Sequence, residues 1–384
     1  MSRVLRVLIC PDKFKGSLSA GEAAAAIAKG VRCAFPDAVC DLHPLADGGE
    51  GSLAVLSDWL KLEKVEQVVS GPLGDPVCAA WYRKGGKALI ELADASGLTL
   101  VGRESRDPML TTTLGTGELI KVAVQGGVRE VKLFLGGSAT NDGGTGIAHA
   151  LGFRFLDEKG RAFLPTGGSL SDIRDILPPT DDAFEDIRLI CLCDVQNPLL
   201  GKNGASHIFA PQKGASPADV EILEAGMVHF ARMVARYSGR DIADIPGGGA
   251  AGGIAAGLHG LLGAEISSGL ATIFALTHFE EKIRQADIVV SGEGKLDAQT
   301  LGGKVVSGVM EMAQKYDKPV VLFTGQSALD RKSISPKGLI GVFTIIDRSS
   351  SIEEAMTCAA EILEILAEDF FRSIHSSLEF RSTK

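Results

Sequence analysis

"VLRVLICPDKFKGSLSAGEAAAAIAKGVR", residues 4–32, runs from an apolar stretch through a polar turn into an alanine-rich segment. Val4–Cys10 has the composition of a buried strand. Ser19 and Glu22 are spaced as a capping box, in which a hydroxyl and a carboxylate satisfy the free N–H groups of a helix start. The spacing predicts a helix over Ala20–Arg32. A strand, a short loop and a helix in that order form the building unit of a parallel sheet covered on both faces.

The pattern repeats outward from this stretch. Val39–His43 is a second strand, followed by "PLADGGEGS" and a short helix through Leu60. At the other end, Asp287–Ser291 is a strand, "GEGKLDAQTLGG" a loop and Lys304–Tyr316 a helix. Pro319–Phe323 and Leu339–Ile346 are two further strands. Ser351 and Glu354 are spaced as another capping box, opening a long amphipathic helix to about Arg372. Two strands from one end and three from the other predict a flavodoxin-like five-stranded parallel sheet of order 2-1-3-4-5. It would be built from residues 1–63 and 280–384 and split by an α/β insertion at 64–279, roughly 200 residues and a usual domain size. Winding reverses between strands one and three in that order, and ligands bind outside the strand carboxyl ends at such a point. The loops at 11–19 and 292–300 would meet there. Inside the insertion, Lys64–Ser70, Val77–Arg83 and Lys87–Leu92 read as β structure, with later strands at Val131–Leu135 and Arg188–Asp194. Ser216 as N-cap and Pro217 at the first helical position start a helix that runs to Ser238.

Composition narrows the function. The chain has 384 residues, 45% hydrophobic and 23% charged, as a soluble protein with a sizeable core requires. A net charge of -9 argues against nucleic acid as partner, though local cations can still hold a small anion. Seven cysteines show no zinc-knuckle spacing, and Cys191 and Cys193, a lone C-x-C in an apolar run, read as buried strand positions. MSRVLRVLIC is interrupted too soon for a signal peptide. Ala250–Ala264, with five glycines and His259, is poor material for a membrane span. The expectation is a reduced, cytoplasmic protein with no membrane partner.

The polar loops carry the chemistry. Lys13, Lys15 and Ser17 lie in the turn before the first helix, where free N–H groups and a partial positive charge attract anions. Neither G-x-G-x-x-G nor G-x-x-x-x-G-K-[ST] is present, and a capped helix with solvated lysines explains this turn taken alone. In "ADGGEG", Asp47 and Glu50 flank Gly48 and Gly49; strand-end carboxylates of this kind hold Mg²⁺ together with phosphates and waters, and a tight turn with a helix cap is the simpler alternative. "LGGSATNDGGTG", residues 135–146, places Gly136, Gly137, Ser138, Thr140, Asn141 and Asp142 between a strand and a helix. That is more polar backbone than a turn needs and suits phosphate oxygens. "CDVQNPLLGKNGA" sets Asp194 at a strand end, and "APQKGASP" sets Gln212 and Lys213 ahead of a helix. "PGGGAAGG", residues 246–253, opens another helix with almost no side chains, which suits close helix packing as well as ligand approach. "SGEGKLDAQT" presents Gly292, Glu293, Gly294, Lys295, Asp297 and Gln299 at the predicted switch point. No dinucleotide fingerprint and no G-x-S-x-G elbow appear. Carboxylates, cations and glycine-lined anion sites are what Mg²⁺-assisted phosphoryl transfer needs.

These blocks, with "PDKFKGSLSA", "LADGGEG", "GGSATNDGG", "CDVQNPL", "APQKGA", "PGGGAAGG" and "SGEGKLDAQT" in that order, resemble the class I, bacterial-type glycerate kinases from about residue 4 to 370. The resemblance implies ATP-dependent phosphorylation of D-glycerate, usually to 2-phosphoglycerate. It also implies a flavodoxin-like domain from both chain ends and a restriction-enzyme-like α/β domain between them. Lys13 stands where relatives resemble "PDSFK", which leaves Lys15 as the cation of that turn; Ala210 and Ser52 replace a common glycine and threonine. On this basis Lys15 and Lys213 neutralise the transferred phosphoryl group or grip the glycerate carboxylate. Asp194, and next Asp297, would accept the proton of the attacking hydroxyl. Asp47, Glu50 and Glu293 are the candidate Mg²⁺ ligands, and the remaining loop residues, with Ser17 and Gln212, line the phosphate and substrate sites. The loops are expected to converge on one crevice. Two rivals stand beside this reading: a kinase with the same machinery acting on the 3-hydroxyl or on another small hydroxy acid, and a non-catalytic sensor of a phosphorylated metabolite. The acidic loops disfavour the sensor, because carboxylates repel an anion.

Overall fold

The computed structural model describes residues 4–46, 49, 51–181, 184, 186–296, 305–328 and 338–382. The chain divides into two compact units, residues 1–47 with 270–384, and residues 48–269. The strands that frame them are, in chain order, β1 (Arg6–Ile9), β2 (Val39–Leu42), β3 (Glu63–Ser70), β4 (Pro76–Lys84), β5 (Lys87–Glu91) and β6 (Glu130–Phe134). They continue with β7 (Arg188–Leu192), β8 (Glu265–Ser267), β9 (Ile288–Ser291), β10 (Val320–Thr324) and β11 (Leu339–Thr344).

In the unit that holds both chain ends, the five strands are all parallel and lie in the order β2-β1-β9-β10-β11. Counted within the sheet, that is 2-1-3-4-5, the order expected from the strand spacing. The sheet is apolar on both faces, as covered parallel strands must be: Val7, Ile9, Val290, Val321 and Phe323 belong to one core, while the alternating Leu8, Val289 and Leu322 are also buried. The helix Ala20–Ala34 lays Ala23, Ile27 and Val31 on that core beside Leu363, Phe370 and Phe371 of the C-terminal helix. Its small side chains let the two helices come close, and at Gly30 a Cβ would lie 2.1 Å from the Glu364 carbonyl. The Ser19 box forms as spaced, with Ser19 Oγ accepting from Glu22 N–H at 3.2 Å and Glu22 accepting from Ser19 N–H at 2.8 Å.

The far C-terminus departs from expectation. In place of one long helix there are two, Ile352–Thr357 and Ala359–Ser382, broken at Cys358. Ser351 Oγ does accept from Glu354 N–H, but the Glu354 carboxylate takes the N–H and hydroxyl of Ser350 at 2.6 and 2.5 Å. The box stays half closed because the N–H and hydroxyl of the preceding serine occupy the Glu354 carboxylate.

The 48–269 unit carries a six-stranded sheet of order β8-β7-β6-β5-β4-β3. β3, β4 and β5 are antiparallel, and β5 through β8 run parallel. Its core gathers Ile90, Leu119, Val131, Leu133, Cys191, Ile254 and Leu258. Cys191 is buried as read, while Cys193 is half-buried just past β7. The helix Pro217–Ser238 starts on Ser216 as expected, with Asp219 closing the box. "PGGGAAGG" does not open a regular helix: Ala251, Gly252 and Gly253 are left-handed at φ 55°, 74° and 88° inside the segment Ala250–Leu262. The kink lets this backbone press on another loop, since a Cβ at Gly252 would lie 2.1 Å from the Thr140 carbonyl. Among the described residues, no helix is long and apolar enough to cross a membrane.

Candidate active site

Register sets the site in the 48–269 unit. Glu91 of β5 pairs with Phe134 of β6, Phe134 with Leu192 of β7, and Leu192 with Ser267 of β8. Four parallel strands therefore end at one level, and the chains that follow them leave from a single sheet edge. They include the glycine-rich loop from Leu135, the segment bearing Asp194, and Ser268. Ser268 donates its hydroxyl to Asp194 Oδ1 at 2.6 Å, which fixes the rotation of that carboxylate.

The glycine-rich loop is held by two buried ionisable side chains, Asp142 and Lys213. Asp142 is fully buried and accepts from Thr113 N–H (2.9 Å), Thr113 Oγ1 (2.8 Å), Gly144 N–H (3.1 Å) and Gly146 N–H (3.3 Å). Burial raises its pKa, and these hydrogen bonds oppose the rise. Its oxygens hold the loop in shape. Lys213 ends the 3₁₀ turn Pro211–Lys213 and is only 2% exposed. Its Nζ donates to Ser138 Oγ at 2.7 Å and to the Thr140 carbonyl at 2.6 Å. Burial pulls its pKa from 10.5 down to about 7, with the Asp142 charge acting the other way. Beyond Lys213 the chain must turn left-handed at Gly214 (φ +105°), where a Cβ would lie 2.1 Å from the Arg106 carbonyl. Asn141 donates Nδ2 to Ser206 Oγ at 3.3 Å, while Asn141 Oδ1 and Thr140 Oγ1 are buried without a protein hydrogen bond. Gly136 is half-buried, Gly137 and Gln212 are exposed, and the Gly49 carbonyl accepts from Ser52 N–H and Oγ.

The other unit gathers its own candidates at the point where β1 and β9, the neighbours that wind in opposite directions, end. The β1 loop is tied to the β9 end by Cys10 N–H on the Val290 carbonyl and Asp12 N–H on the Gly292 carbonyl, both 2.8 Å. A tight turn follows, closed by paired Phe14–Leu18 hydrogen bonds, with Lys15 exposed at its tip. Ser17 donates its hydroxyl to the Met356 carbonyl at 2.7 Å. Gly292, Glu293 and Gly294 run alongside, Glu293 buried. Their glycines serve packing: a Cβ at Gly292 would lie 1.8 Å from the Phe323 carbonyl, and one at Gly294 3.0 Å from the Lys15 nitrogen. Asp47, Gly48, Glu50 and Asp297 lie outside the described residues.

Sequence reasoning passed over Glu91. This buried carboxylate at the end of β5 accepts from Gly51 N–H at 2.8 Å and from Leu53 N–H at 2.5 Å. The available signal was an acid closing the apolar run Ala88–Ile90.

Comparison with known proteins places the whole chain in a family. The family model described as the glycerate kinase family matches residues 7–375. The chain is 41% identical to the glycerate kinase of Bacillus subtilis (strain 168), covering 96% of this chain and 98% of that protein. It is 43% identical to the glycerate 2-kinase of Escherichia coli (strain K12), covering 91% and 93%. A crystal structure of a candidate glycerate kinase 2 from Salmonella typhimurium LT2 superposes with a TM-score of 0.85 at 38% identity, covering 98% of this chain and all of that one.

Proposed function

The chain belongs to the glycerate kinase family and is a kinase, and from that premise we propose that it transfers the γ-phosphoryl group of ATP to the 2-hydroxyl of D-glycerate, giving 2-phosphoglycerate and ADP. The new bond joins the glycerate oxygen to phosphorus, the bridging bond to ADP breaks, and the hydroxyl proton passes to a carboxylate. We assign that base to Asp194, oriented by Ser268, with Asp297 as the second candidate. Lys213 has three N–H groups, of which Ser138 and Thr140 take two. The third is assigned to an oxygen anion of the substrates. Lys15 and Ser17, the 136–142 loop, Gln212 and the 292–294 backbone are assigned to phosphate and substrate oxygens.

Mg²⁺ supplies charge neutralisation across phosphate oxygens when bound. Among the described residues no three His, Cys, Asp or Glu side chains cluster as a metal cage. An ion carried on nucleotide phosphates needs only one or two carboxylates. Glu293, buried next to the Gly294 that abuts the Lys15 backbone, meets that need; Asp47 and Glu50 are assigned with it. The same reading takes residues 1–63 with 280–384 as a flavodoxin-like domain and the remainder as a restriction-enzyme-like insertion, with the 2-1-3-4-5 sheet as its support. It makes the protein a cytoplasmic enzyme, in keeping with its free thiols.

The observation that carries the reading is the common level of the strand ends, which puts Asp194 and the loop gripped by Lys213 on one sheet edge. Phosphorus NMR of the product from ATP, Mg²⁺ and D-glycerate tests it, and 2-phosphoglycerate is the expected signal. A 3-phosphoglycerate signal refutes the regiochemistry. ADP release with lactate, hydroxypyruvate or glyceraldehyde but not with glycerate refutes the substrate.

A further inference from the structure

The helix Ser52–Leu60 begins without a cap of its own. Its N-cap is Gly51, which has no side chain and stands at φ +81°, so the first N–H groups of the helix need an acceptor from elsewhere. Glu91 supplies it from about forty residues away in sequence. One carboxylate oxygen takes Gly51 N–H at 2.8 Å and the other takes Leu53 N–H at 2.5 Å. The side chain is 4% exposed. A buried carboxylate is costly unless hydrogen-bonded, and a negative charge is favoured at a helix start, so the two ends of this contact need each other. Ser52 closes the same turn by donating N–H and Oγ to the Gly49 carbonyl at 3.2 and 2.6 Å.

The place of this clamp matters more than its strength. Glu91 stands in register with Phe134, the residue before the loop held by Lys213, and through it with Leu192, two residues before Asp194. Gly51 and Leu53 lie just after the point where the chain enters the 48–269 unit, and Ser268, held by Asp194, lies just before the point where it leaves. Two strand-end carboxylates thus hold the entrance and the exit of the unit on the edge that carries the candidate chemistry.

We propose that Glu91 is a positioning residue for the phosphoryl transfer, pinning Gly51 and Leu53 at the start of the Ser52–Leu60 helix to the sheet edge that bears Asp194 and the Lys213 loop. The inference rests on the kinase reading given above. Charge and shape are separable here. Glutamine keeps the volume but presents one acceptor and an NH₂ group, which would face a backbone N–H. Aspartate keeps the charge and shortens the reach.

The test is steady-state kinetics on the full chain with ATP, Mg²⁺ and D-glycerate, together with amide exchange at Gly51 and Leu53. Glu91→Gln is expected to lose about tenfold to a hundredfold in kcat, the cost typical of sub-ångström to ångström misplacement. KM for ATP should move less than kcat, and both amides should lose protection while the melting transition remains cooperative. Glu91→Asp should fall between this variant and wild type in kcat. A Glu91→Gln enzyme with wild-type kcat, or with both amides still protected, overturns the proposal. So does a variant whose only change is a lower melting temperature. If Glu91→Gln fails to fold, the same criteria apply to Glu91→Asp. A wild-type chain that releases no ADP with glycerate sinks the kinase reading instead, and the two failures are told apart by that control.

Discussion

Replacing Lys213 by methionine should change how the stability of the 48–269 unit depends on pH. The wild-type ammonium is buried and its pKa falls from 10.5 to about 7, chiefly through lost hydration. Between those values the unfolded chain holds a proton that the folded chain does not, so stability rises with pH across the window. The slope is on the order of 1 kcal/mol per pH unit for one proton. Below about pH 7 the fold carries the charge and its full hydration cost. Asp142 has the opposite sign: its pKa is raised, so its contribution is present at acid pH and is lost as pH climbs above its unfolded value. Comparing the two proteins isolates the lysine and its coupling to Asp142. Methionine is similar in length, removes the charge and leaves Ser138 Oγ and the Thr140 carbonyl without their donor, at about 1–3 kcal/mol each. At pH 6.5 relief of the charge offsets much of that loss. By pH 9.5 wild type should have gained on the order of 3 kcal/mol over Lys213→Met. Both tryptophans, Trp59 and Trp81, belong to this unit, so urea unfolding followed by tryptophan fluorescence reads it directly. A wild-type advantage that stays flat within about 0.5 kcal/mol from pH 6.5 to 9.5, below the expected slope, refutes the account of a lysine held against its hydration.

Further outcomes follow from the same geometry. Asp194→Asn should lower kcat by about a hundredfold or more, the usual share of general-base catalysis, with a modest change in KM for ATP; near-normal turnover in a coupled ADP assay removes Asp194 from that role. Asp142→Asn offers one oxygen where the carboxylate accepts four hydrogen bonds. It should destabilise the unit by about 1–3 kcal/mol for each donor left unpaired, read as a drop in urea midpoint, and the variant should bind glycerate poorly by calorimetry. Gly252→Ala puts a methyl 2.1 Å from the Thr140 carbonyl at φ +74°; a loss of at least about 1–3 kcal/mol is expected, and a neutral result in thermal unfolding contradicts the close approach.

What the sequence made legible was local. The Ser19–Glu22 and Ser216–Pro217 starts need only neighbours three residues apart, and both helices begin there. The strand order was also readable, because buried parallel strands are short apolar runs whichever sheet holds them. Long-range pairing hid the rest. Glu91 fell inside the expected strand Lys87–Leu92 with nothing local to mark it, since its partners sit near residue 52. Lys213 read as a loop cation, although its turn buries it against Ser138 and Thr140. The glycines at 252, 292 and 294 read as room for a ligand, and the sequence could not show that each also lets another backbone lie against it. At residues 350–358 the spacing was right and the donor to the Glu354 carboxylate wrong by one serine.

The position of β1 has a consequence for biosynthesis. This strand sits between β2 and β9, and Cys10 beside it meets Val290 across 280 residues of chain. A nascent polypeptide leaving the ribosome therefore presents its first strands and the alanine-rich helix long before their partners exist, whereas the contiguous 48–269 stretch can collapse as it emerges. Closing so long a loop carries an entropic penalty that grows only slowly with length. The hazard is thus one of time, with apolar β1 edges open to chaperones, or to other unfinished chains, until translation nears its end.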